Sequence, residues 1–267
     1  VQGRINNLVP VGQECDTDAV VPTETFLHIE QAEEVRDDPQ HVIDALDLML
    51  DQRDGIEPFP LSVTFFSLGT EDGRVLEDSE NSSTGGVIDS TGTLRVGDDS
   101  SDAAYRSIVS FDTADLPDDY IVTDAQLTLT RTFLSGQSPW GPLGDLAVDV
   151  ATGVFGASPD MELTDWEAAP TVTNVGQVPE LLADGDSGTA VIDANGRAAI
   201  NKAGRTQMKL RFTTQDNDDG GVDYVSLASG ENSTAPRRPT LQLTLAVPTP
   251  TPTPTPTPSS WTAAESR

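Results

Sequence analysis

The sequence predicts a mainly β protein: a jelly-roll-like antiparallel β-sandwich with a short N-terminal strand–loop–helix extension. Three observations predict it. Apolar and polar residues alternate with period two in TDAQLTLTR, TQMKLRF and TLQLTLAV, the pattern of strands with one dry and one wet face. Shorter runs of the same kind recur from residue 61 to 247, separated by Gly-, Asp- and Pro-rich turns. The first 58 residues break the pattern with a single helix signature.

That extension, residues 1–58, opens on INNLVPVG, which reads as a strand. Its helix has Asp38 as N-cap and Pro39 at the first helical position, where a missing N–H costs nothing. Val42, Ile43, Leu46, Met49 and Leu50 share one face, and Gly55 stops the turn. In the β region, residues 61–247, Leu127 and Leu129 alternate with threonines. Met208, Leu210 and Phe212 alternate with Lys209 and Arg211, and Leu241, Leu243 and Leu245 with polar neighbours. The runs SVTFFSL, TLRVG, YRSIVSFD, LAVDVATGVF and DYVSLAS bring the expected count to about eight to ten strands, a number suited to two packed sheets. Short helices are expected at LTDWEAA and ANGRAAINKA. Residues 248–258 contain TPTPTPTPTP, an extended polyproline-type spacer of the sort that joins independently folded modules, and 259–267 form a short tail.

Charge narrows the partners. The 267 residues carry 44 acidic and 15 basic side chains, a formal net charge of −29, and their only lysines are Lys202 and Lys209. A field of that sign disfavours nucleic acid and anionic membranes and favours divalent cations. It also suits a salty medium. No apolar run is long enough to span a bilayer, and Cys15, the only cysteine, has no partner for an internal disulfide. Further domains of the same polypeptide are expected beside this one, because the sequence begins at Val1 without Met and ends just past a linker.

The densest chemistry lies in TTQDNDDGGVDY, where Asp216, Asp218, Asp219 and Asp223 crowd around Gly220 and Gly221. Carboxylates this close repel one another unless a cation lies between them or some take up protons. Calcium, which takes six to eight oxygens in flexible geometry, is the expected remedy. The loop is not an EF-hand, since the twelfth position from Asp216 is Leu227 and strand-like runs flank it. Asp98, Asp99 and Asp102, or Glu71, Asp72, Glu77, Asp78 and Glu80, are available to complete a site; each patch alone reads as a solvated turn. Trp140 in GQSPWGPLG, with Tyr105 and Arg106, is the candidate surface for stacking on a sugar ring; packing is the commoner fate of a lone Trp. GDSG at 185–188 matches the nucleophile loop of chymotrypsin-like proteases in letters only, because both histidines, His28 and His41, lie outside the β region; a turn between strands is expected there.

Two resemblances add to these readings. VPVGQECDTDAVVPTETFLHIEQAEEVRDDPQHVIDAL resembles the last part of an α/β-hydrolase domain: a strand, an acid loop, a histidine and the closing helix. That likeness implies Asp18, or Asp16, as triad acid and His28 as base, with His41 as the alternative base, but no Gly-x-Ser-x-Gly elbow occurs anywhere in the sequence. The blocks EDGRVLEDSENSSTGG, TLRVGDDSSDAAYRSIVSFDTADLPDDYIVTDAQLTLTR and GRTQMKLRFTTQDNDDGGVDYVSLASGENSTAPRRPTLQLTL resemble, in that order, the DNRLRE-type domains of secreted proteins, which are grouped with carbohydrate-binding modules. This second resemblance implies a noncatalytic, extracellular or cell-surface module that attaches a larger protein to polysaccharide or matrix. The first implies instead the C-terminal part of a secreted esterase or lipase whose serine lies upstream. A third reading, from unpaired strand edges, is a structural subunit of surface layers or filaments.

Overall fold

The computed structural model describes residues 61–247. The expected N-terminal strand and helix, with Asp16, Asp18, His28 and His41, lie outside the described residues, as do the linker and tail. Among the described residues twelve strands are present: β1 (Leu61–Phe66), β2 (Gly73–Glu77), β3 (Gly85–Asp89), β4 (Leu94–Asp98), β5 (Ala104–Asp112), β6 (Ile121–Ser135), β7 (Leu146–Thr152), β8 (Val172–Val178), β9 (Ser187–Val191), β10 (Arg205–Phe212), β11 (Asp223–Leu227) and β12 (Thr240–Ala246). Every pairing between them is antiparallel. The strand order is β1-β12-β6-β11-β4-β5-β10-β7-β8, with β2 beside β5, β3 beside β2, and β9 beside β6. The fold is mainly β and sandwich-like, as the alternation predicts.

The sheet curls because β6 belongs to two layers. Its first part, to Thr130, pairs with β12 and β9; from Arg131 onward it pairs with β11. The register slips between Arg131 and Phe133, leaving Thr132 as an extra residue, and a bulge of this kind bends a strand. Leu127, Leu129, Leu241 and Leu243 of one layer therefore face Val109, Phe111, Met208 and Leu210 of the other, all fully buried in one core. At the opposite end of β6, β1 lies beside β12 with Leu61 opposite Leu245.

Lys209 departs from expectation. Period two places it on a wet face, yet it is buried, because the segment between β7 and β8 folds over the outer side of β5, β10 and β7. Phe155, Met161, Trp166 and Ala168 of that segment form small second cores against Ile108, Ala151, Val75 and Ala104. The Lys209 ammonium donates to the carbonyl oxygens of Ala168 at 2.7 Å and Trp166 at 3.3 Å and lies 4.3 Å from the Phe155 ring centroid. Burial, then the neighbouring Arg106 charge, pushes its pKa down to about 8. The two expected helices are present as a 3₁₀ turn at Leu163–Asp165 and the helix α1 at Ala194–Ala198, the latter capped by Asp193, whose carboxylate accepts from Gly196 N at 2.8 Å. Among the described residues no helix is long and apolar enough to cross a membrane.

Candidate functional site

Three loops meet at one end of the second layer: β2–β3, β4–β5 and β10–β11. The pairing Gly97↔Tyr105 with Asp98↔Ala104, and Asp223↔Asp98 across β4 and β11, fixes their closeness. Glu80 of the first loop and Asp216 and Asp218 of the third each place a carboxylate oxygen within 4.8 Å of the other two. Oxygens bound to one calcium at about 2.4 Å can lie no more than about 4.8 Å apart, so this trio fits a shared ion, with backbone carbonyls and water left to complete the shell. Partial desolvation, then Asp218, raises the pKa of Glu80; the same causes in the same order raise Asp216. The β4–β5 loop closes on this group: Asp102, in the left-handed region at φ 54°, accepts from Gly220 N at 3.0 Å.

The other two aspartates of the loop have different employment. Asp219 accepts from Gly221 N at 2.6 Å and from Asn217, shaping the turn. Asp223 is buried and accepts from Gln137 N at 2.9 Å and from Asn217 Nδ2 at 3.1 Å. Beside it, Asp98 is 1% exposed; its Oδ1 accepts from Asp223 N at 3.2 Å, while its Oδ2 has no hydrogen-bond partner. Burial first, then the Asp223 carboxylate, pushes Asp98 up to about 7. Of the flanking acidic patches, Glu80 thus joins the loop, whereas Glu71 and Asp72 are buried elsewhere. Glu71 pairs with Arg205, and Asp72 accepts from Ser67, Ser110 and Gly230.

No protein-family model and no curated protein matches the chain.

The residues expected to meet a sugar separate in the structure. Trp140 is half-buried against the core, edge-on to Phe212, and donates from Nε1 to Val178 O at 3.1 Å; it staples the β6–β7 loop to β8. Arg106 stacks 3.6 Å over the Trp166 ring and donates to Trp166 O and to Gln215 Oε1, each at 2.7 Å. Its fork is filled by the protein itself, and it anchors the residue preceding Asp216. Tyr105, pointing to the other side of β5, lines a groove of about 410 Å³ together with Arg74, Leu76, Val87, Asp89 and Arg95. The two arginines were missed in sequence: GRVLE lacks a strand's alternation, and TLRVG shows one Arg between core residues with nothing to mark its face. Gly185, at φ 98°, makes the turn expected at GDSG, and Ser187 enters β9 with its hydroxyl 2.8 Å from that of Thr130.

Proposed function

We propose that residues 61–247 are a noncatalytic β-sandwich module, stabilised by calcium at its acidic end, that attaches a larger extracellular protein to carbohydrate or other matrix. The observation that carries this reading is the meeting of Glu80 with Asp216 and Asp218, more than a hundred residues away in sequence and of the same charge. Such a convergence is relieved by a counter-charge or by protonation, and at neutral pH an ion that binds the folded state alone stabilises it by mass action. The negative field, the Thr-Pro repeat and the resemblance to DNRLRE-type domains support the attachment role.

Calcium at a hundred times its Kd is expected to raise the melting temperature by roughly 5–10 °C over the value in chelator. Calorimetric scans with chelator, calcium and magnesium test this, and identical melting in all three overturns the cation half of the proposal. Glu80→Gln is expected to melt slightly higher than wild type in chelator, since a repulsion is removed, and to lose most of the calcium increment. Attachment is tested by retention on a panel of insoluble polysaccharides, with binding to at least one and no release of sugar expected. Retention on none overturns the attachment half.

A further inference from the structure

The groove beside Tyr105 has the wrong sign for this protein. On a chain of net charge −29, Arg74 and Arg95 both line it, and Asp89 is the only acid among the lining residues. Asp89 is already engaged: it pairs with Arg74, which also donates to Thr93 O. Arg95 belongs to none of the salt bridges among the described residues, and its Nε is buried without a hydrogen-bond partner. What holds it is aromatic: its guanidinium lies 4.7 Å from the Tyr224 centroid and 5.7 Å from that of Tyr105, the two rings meeting edge to face at 5.5 Å. Cation–π contact fixes a guanidinium in place without neutralising it. The nearness of the two arginines shows in Arg74, whose pKa burial lowers first and Arg95 second. No hydrogen bond within the described residues occupies the terminal nitrogens of this guanidinium, and a fork of this kind matches an oxyanion.

We propose that this groove is the glycan-binding site of the module and that it takes an acidic saccharide, one bearing a carboxylate or sulfate group, with the anion on Arg95 and the ring against Tyr105. This rests on the attachment reading above. The exposed Val87 and half-buried Leu76 give the groove an apolar wall, and Ser90 and Thr91 place hydroxyls at its rim, so a ring of mixed polarity fits where a bare inorganic anion leaves surface unmatched. The net negative charge of the chain disfavours polyanions in general, so a locally cationic groove is where one would be held.

The full chain is titrated calorimetrically in calcium with polygalacturonate, dextran sulfate and neutral dextran, alongside Arg95→Gln and Val87→Glu. Val87 is 60% exposed, so Val87→Glu is expected to melt as wild type does while placing a carboxylate in the groove. The proposal expects binding to one or both polyanions, weakened at least tenfold by either substitution and weakened by salt. Polyanion binding insensitive to Val87→Glu overturns it, as does binding to the neutral polymer alone; in both cases attachment itself survives. Binding to none of these soluble polymers together with retention on none of the insoluble panel overturns both. Retention on an insoluble neutral glycan only overturns this assignment and leaves the module reading in place.

Discussion

In chelator, the protein is expected to melt higher as the pH falls from 8 to 5, by roughly 10 °C, the reverse of ordinary acid destabilisation. The cause is three buried carboxyls whose folded-state pKa values stand above the usual range. Burial, then Asp223, takes Asp98 to about 7; burial takes Asp72 and Asp165 to about 6. In the unfolded chain each titrates near 3.9. Above pH 7 all three are charged in both states, and the folded state alone carries the cost of burying that charge. As the pH falls from 7 towards 4 the folded protein takes up protons that the unfolded chain does not, so stability is gained; it is fully present below the unfolded pKa and lost as pH rises through the folded one. Asp98 alone contributes on the order of 3 kcal/mol. Asp89 works the other way: backbone and Arg74 contacts hold it below the usual range, so its contribution is lost only as acid reaches that lower pKa. Asp98→Asn is expected to flatten the profile and to raise melting at pH 8. Thermal scans across pH in chelator check this, and a steady fall in melting temperature from pH 8 to 5 would refute it.

Arg106→Ala is expected to cost about 3 kcal/mol and to weaken calcium binding as well. The first effect follows from losing a guanidinium stacked at 3.6 Å on Trp166 and hydrogen-bonded to that residue's carbonyl, contacts that fasten the covering segment over β5. The second follows from its bond to Gln215 Oε1, which fixes the approach to Asp216. Some of the loss is returned, because Arg106 crowds Lys209 and Arg211 and is itself pushed down to about 10 by burial and by Arg211. Arg106→Lys is expected to rescue little, since a single ammonium cannot both stack and span two acceptors. Chemical denaturation and a calcium titration measure the two effects separately. A variant with lowered stability but wild-type calcium affinity would show that Gln215 needs no anchor.

Much of the fold is legible in the sequence wherever a strand has a dry face and a wet one. Leu127, Leu129, Met208, Leu210, Phe212, Leu241, Leu243 and Leu245 are all buried as their alternation predicts. Four strands escape that reading. β3 is short and begins with two glycines, and β8 carries Gly176 within an irregular pairing to β7; β2 and β9 alternate in burial, but GRVLE and SGTAV spell that alternation with glycine, alanine and a buried Glu77 in place of large apolar residues. The burial of Lys209 is illegible for a different reason: nothing local to β10 announces that a distant segment covers its outer side. At the acidic end, composition draws attention to four aspartates, but which of them share a neighbour depends on register. Asp223 lies opposite Asp98 and is consumed by the backbone of Gln137, while Glu80, one acid among several in its own stretch, is carried in by the β2–β3 turn. Arg95 is the clearest case, since its place outside the salt bridges of the described residues exists only once the strands are laid side by side.

Leu61 stands opposite Leu245 on adjacent strands, and Cα atoms so paired are about 5 Å apart. The first and last described strands therefore bring their outer ends to one edge of the unit, and β6 carries the acidic loops away from it. A unit with its ends so close can be spliced into an exposed bend of another domain without prising that bend open, and a pull on its two ends loads that edge while the acidic tip stays slack.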